Sequence, residues 1–136
     1  MAGIIQLIGR IMLALIFILA GIGKIQDPAG SMGYMQSAGV PSILLWPAIA
    51  LELLGGLALA IGYKTRYMAF ALAAFSLLTA AIFHSNFGDE MQMIMFLKNI
   101  AIAGGLLLLA VSGITAYSFD NRRNQSNFFG TRQNRR

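Results

Sequence analysis

Residues 43–61 read ILLWPAIALELLGGLALAI, an apolar run interrupted near its middle by a single carboxylate, Glu52. Its length and hydropathy are those of a membrane-spanning helix. A carboxylate near the bilayer midplane costs roughly 2.5 kcal/mol or more on insertion scales, so it should face the protein interior and find a cation or a hydrogen-bond donor. Three further apolar runs, at 4–23, 67–83 and 91–113, complete four crossings and supply the candidates for that partner.

Composition agrees with this reading. The chain has 136 residues, of which 57% are hydrophobic and 11% charged, as expected of one integral membrane unit. It contains no cysteine, which excludes disulfides, CxxC chemistry, thiolate metal sites and a sulfur nucleophile. Any redox chemistry must therefore use a borrowed carrier. The single histidine, His84, has only Asp89 and Glu90 near it in sequence, so no metal site is expected. Seven of the ten basic residues are Lys64, Arg66 and the arginines from Arg122 onward, a placement that orients a membrane protein and does not build a nucleic-acid face. With Lys24 alone near the opposite side, both termini are expected to be cytoplasmic.

The first crossing holds Arg10 inside its apolar run, with Ile4, Ile5, Leu7 and Ile8 before it, which argues against a cleaved signal peptide. Between the first two crossings, Asp27-Pro28 marks a turn. A short interfacial helix should follow, capped by Ser31, with Met32 and Met35 on one face, and closed by Gly39 and Pro41. It is too short to span and lies across the mouth of the bundle, over a ligand or simply on the membrane surface. Tyr63-Lys64-Thr65-Arg66-Tyr67 reads as a tight turn between antiparallel helices. Ala69 and Ala73 have the small-xxx-small spacing that lets helix backbones approach closely. The expected architecture is all-α: four transmembrane helices in an up-down bundle over residues 1–118, with the short helix in the first outer loop. Residues 119–136 form a basic tail expected to be disordered or to lie on anionic lipid.

Helical rise places Arg10 about 9 Å in from its cytoplasmic end, Glu52 about 14 Å from either end of its span and Lys98 about 10 Å in from the outer side. Arg10 and Lys24 are two heptads apart and fall on nearly one face. The expected buried ion pair is Arg10 with Glu52. Lys24, His84, Lys98 and Asn99 then form an outward-opening pocket floored by Glu52, unless the buried charges serve only to fasten helices together.

These residues resemble the DoxX family of small four-helix membrane proteins. The likeness runs from about Arg10 to Asp120. It rests on Arg10, Ala20-Gly21-Ile22-Gly23-Lys24-Ile25, Ala38-Gly39-Val40-Pro41, Glu52-Leu53-Leu54-Gly55-Gly56, Gly62-Tyr63-Lys64-Thr65-Arg66, Phe83-His84-Ser85-Asn86-Phe87, Phe96-Leu97-Lys98-Asn99 and Gly104-Gly105, taken in their order and spacing. The resemblance implies a bacterial inner-membrane bundle. It also implies kinship with a quinol-oxidase-associated subunit, with proteins of thiosulfate oxidation by quinone and with redox-stress complexes. No catalytic residue follows from it.

The function expected is a membrane subunit that binds a quinone-like or small anionic redox substrate and serves a redox complex. Phe17, Trp46, Phe83 and Phe96 would supply apolar walls, and Lys24, His84, Lys98 and Asn99 the donors. Neither a haem-ligand pair nor a flavin signature is present, so the chain would act with other redox subunits. The rival readings are an assembly subunit without its own ligand and a small-solute transporter, the latter requiring a homo-oligomer.

Overall fold

The computed structural model describes residues 1–113, 115 and 117–133, with side chains through residue 127. In chain order the elements are α1 (Ala2–Gln26), α2 (Pro28–Ser37), a single 3-10 turn (Ser42–Leu44) running into α3 (Leu45–Ile61), α4 (Thr65–Phe83), α5 (Glu90–Val111) and α6 (Phe119–Gln133). No strand occurs among the described residues. Among the described residues four segments are long and apolar enough to cross a membrane: α1, the joined Ser42–Ile61, α4 and α5. Each lies within a few residues of its sequence expectation.

α1 packs on α3 and α4 on α5, and the two pairs meet chiefly through α3 and α4, which gives an up-down bundle. Close approach of α1 and α3 depends on a missing side chain. A Cβ at Gly56 would lie 2.8 Å from Ile18 Cγ1 and 3.3 Å from the Ala14 carbonyl oxygen. The main core joins Ala14, Phe17, Leu59, Ala69, Leu72, Ala73, Ala103, Leu106 and Ala110. Most of these side chains are small, so the helices close tightly toward the end of the bundle that carries both termini. At the opposite end a smaller cluster of Met35, Leu45 and Ile49 packs under α2.

Several ends are set by their sequence. Gly62, at φ 74°, terminates α3, with the amide of Tyr63 donating to Ala58 O at 2.8 Å. Asp89 caps α5, accepting from Met91 N at 2.9 Å. α2 begins a turn earlier than Ser31 predicts. Asp27 is the cap, accepting from Gly30 N at 3.0 Å, and Pro28 fills the first helical position, where its missing donor costs nothing. Ser31 donates to Asp27 O at 2.9 Å. Gly39 adopts the left-handed conformation expected of it, at φ 76°.

Residues 119–133 are helical, in contrast to the unstructured tail that their polarity predicts. The start of α6 explains the difference: Ser118 Oγ accepts from Asn121 N at 3.1 Å, and Asp120 occupies the first turn, favourable to the helix dipole. Residues 134–136 of that tail lie outside the described residues.

Candidate ligand cavity and its charged floor

Arg10 and Glu52 do not pair with each other. Side chains on a helix tilt toward its N-terminus, so Arg10 leans toward the end of the bundle that carries the termini, away from Glu52. There it is 1% exposed and gathers three acceptors. It donates to Thr115 Oγ1 at 2.6 Å and Tyr117 O at 2.8 Å, and reaches Ala60 O at 3.3 and 3.4 Å. Arg10 thus ties α1 to the last turn of α3 and to the segment between α5 and α6. Tyr117 holds its carbonyl there from a left-handed backbone, φ 53°.

The same tilt delivers Lys24 to Glu52. On antiparallel α1 and α3 the two side chains lean toward one another, and Lys24 Nζ meets Glu52 Oε1 at 2.9 Å. The carboxylate is buried, its side chain 4% exposed, whereas the Lys24 side chain is 30% exposed. Glu52 Oε2 is buried without a hydrogen-bond partner. Two of the three ammonium protons of Lys24 remain uncommitted among the described residues.

This pair forms part of the wall of a cavity of about 760 Å³ between α3 and α4, roofed by α2. The walls are mostly apolar, with Ala48, Leu51, Phe75 and Phe83 among them. Leu78 and Ile82 also line it while remaining exposed on the outer surface of α4, a helix long and apolar enough to cross the membrane. Tyr34, Ser31, Asp27, Thr79 and His84 add polar atoms. Tyr34 stacks on Phe83 with ring centroids 5.2 Å apart, which fixes α2 over the opening. His84 Nδ1 lies 2.9 Å from Gln92 Oε1; with the amide oxygen as acceptor, the ring proton sits on Nδ1 and Nε2 is left as an acceptor.

Of the residues expected at this site, Lys24, Glu52 and His84 come together around the cavity, and Lys98 and Asn99 do not. Lys98 is exposed on α5, a helix that contributes nothing to the cavity wall, and Asn99 Nδ2 turns back to Met95 O at 3.2 Å. Of the four aromatics expected as walls only Phe83 serves. Phe17 is in the core, Trp46 is half-exposed, and Phe96 packs on Phe87. Tyr34 and Thr79 escaped the sequence reading. The stacking of Tyr34 depends on where α2 docks, and a lone threonine in an apolar helix carries no distinguishing signal.

The family model for DoxX matches residues 5–85, more than half of the chain. The chain belongs to the DoxX family. Arg10, Lys24, Glu52 and His84 of this DoxX protein fall within the matched segment, while Lys98 and Asn99 fall beyond it. It is 48% identical over 119 residues to inner membrane protein YqjF of Escherichia coli (strain K12), covering 88% of this chain and 92% of that protein. Inner membrane protein YphA of the same organism is 38% identical over 126 residues, covering 88% and 90%. CatD of Bacillus subtilis (strain 168), whose name marks it as a candidate oxidoreductase, is 33% identical over 73 residues, 54% of either chain. No solved structure matches the chain. Four spans and inner-membrane relatives make this DoxX chain an integral membrane protein.

Proposed function

We propose that this DoxX protein is a membrane subunit that binds the head group of a quinone-type carrier in the α3–α4 cavity and serves a redox complex, with both termini cytoplasmic. The cavity carries the reading. A space of about 760 Å³ lies within the usual range for small-molecule sites, roughly 300–1,000 Å³, and its largely apolar walls hold one clustered set of polar groups. Lys24 offers free N–H groups to a ring carbonyl. Glu52 Oε2 lacks a donor, and the hydroxyl of a reduced ring would supply one. Because the ammonium charge is already met by Glu52, the floor has no net charge, which favours a neutral ring over an anion. A wall that reaches the exposed apolar surface of α4 at Leu78 and Ile82 suits a carrier that travels in the bilayer. The name of CatD is consistent with redox work, and the basic residues Lys64, Arg66, Arg122 and Arg123, set at the end of the bundle that carries the termini, support the orientation.

Solvent extraction of protein purified gently from native membranes tests this proposal. Wild type should carry quinone near one per chain. Since Lys24→Met alone would strand the Glu52 carboxylate, the informative variant is Lys24→Met with Glu52→Gln, which should fold and lose most of the quinone. Lys98→Met, outside the cavity, should retain it. Wild-type protein free of quinone, or equal retention by the double variant, would contradict the assignment.

A further inference from the structure

A second, smaller cavity of about 340 Å³ lies at the opposite end of the bundle, where α4 begins and α6 passes beside it. Lys64, Thr65, Arg66, Tyr67, Asp120 and Arg123 contribute to its wall. Three cations therefore face one carboxylate, and that carboxylate is already committed. Asp120 accepts from Lys64 N at 2.8 Å with one oxygen and from Thr65 N at 3.0 Å with the other, capping α4. Among the described residues Lys64, Arg66 and Arg123 make no ion pair.

Thr65 supplies an independent sign that something is bound here. It is 4% exposed, and its Oγ1 has no hydrogen-bond partner. Within a helix such a hydroxyl commonly donates to the carbonyl one turn back, as Thr79 does to Phe75 at 2.8 Å. Thr65 opens its helix and makes no such bond, so a buried donor stands beside cations that outnumber the one carboxylate by three to one, with Lys64 also resting over the Tyr63 ring at 5.6 Å. That combination calls for an anion with several acceptor oxygens.

Depth selects the kind of anion. The cavity sits where the apolar spans end, and Tyr63, Tyr67 and Tyr117 cluster at this end, Tyr67 in the cavity wall itself. Tyrosines concentrate at the headgroup level of a bilayer. α6 is strongly polar, with no continuous apolar face to hold it against the bundle; Phe119 meets Tyr63 edge-on, and Asp120 N donates to Gly62 O at 3.0 Å. We infer that this cavity binds the phosphate of an anionic phospholipid headgroup, held by Lys64, Arg66, Arg123 and the Thr65 hydroxyl, and that the lipid helps fasten α6 to the start of α4. This inference does not depend on the quinone reading.

Melting of the full-length protein in neutral phosphatidylcholine micelles, titrated with phosphatidylglycerol, tests it. Phosphatidylglycerol should raise the wild-type melting temperature saturably. Arg123→Gln should weaken its apparent affinity about fivefold, the scale of one basic residue at an anionic surface. Thr65→Val, nearly the same shape, should weaken it as well. Arg122→Gln removes the same charge one residue outside the cavity and should have a clearly smaller effect. Melting in phosphatidylcholine alone shows that each variant is folded. If Arg122→Gln and Arg123→Gln weaken binding equally, or if inorganic phosphate stabilises the protein as well as the lipid does, the headgroup site is rejected.

Discussion

Arg10→Met should reduce folded protein recovered from membranes to a small fraction of wild type. The guanidinium is buried and is the common donor for Ala60 O, Thr115 Oγ1 and Tyr117 O, groups from two separate segments. Its loss strands the buried Thr115 hydroxyl, at about 1–3 kcal/mol, and takes the donor from two part-buried carbonyls at a smaller cost each, so the total reaches a few kcal/mol, a large share of the stability of many domains. Arg10→Lys should recover only part, because an ammonium cannot spread across three acceptors as a planar fork does. Thr115→Val should cost about 1 kcal/mol alone and almost nothing in the Arg10→Met background, since both changes break the same bond. Adding Glu52→Gln to Arg10→Met should bring no recovery, because Glu52 is paired with Lys24. Thermal unfolding of detergent-solubilised protein measures all of these; an Arg10→Met protein melting close to wild type would show that the guanidinium does not hold this end of the bundle together.

Gly62→Ala should be nearly as damaging, for reasons of backbone and space together. Gly62 sits at φ 74°, where a side chain is strained by about 1–2 kcal/mol. A Cβ there would run into Ser118 Cβ, lie 2.9 Å from Ser118 Cα and approach Arg10 Cζ to 3.1 Å. The first two belong to a segment fixed by its own hydrogen bonds, so relief requires moving the start of α6 and loosening the grip of Arg10. Gly39→Ala is the internal comparison. It has the same positive φ but nothing within 4 Å of the added atom, so only the conformational cost should appear. Equal melting temperatures for the two variants would show that crowding at Gly62 contributes nothing.

The bundle itself was legible because bilayer spans are written in hydropathy, and its helix ends because Gly39, Gly62 and Pro41 admit few other positions. The partner of Glu52 differs from the expected Arg10 for a reason that the sequence also contains. Depth alone makes Arg10 a candidate, but side-chain direction reverses the choice: Arg10 leans toward the start of α1 while Lys24 leans inward from its end. Lys98 illustrates a different limit. A lysine within an apolar helix points to a function only if it faces the bundle, and the apolar pattern of α5 is too uniform to show which side faces lipid. The helix at 119–133 depends on the Ser118 cap and on the docking of Asp120 against α4, a contact between positions more than fifty residues apart that composition cannot reveal.

A photoreactive short-chain quinone cross-linked to the protein in native membranes, with the labelled peptides located by mass spectrometry, tests whether the α3–α4 cavity holds a quinone head group. The cavity predicts labels on α2 around Tyr34 and on α4 between Phe75 and His84, competed away by excess unlabelled quinone and lost in the Lys24→Met, Glu52→Gln double variant. Labels confined to α5 around Lys98, or indifferent to competition, would contradict it.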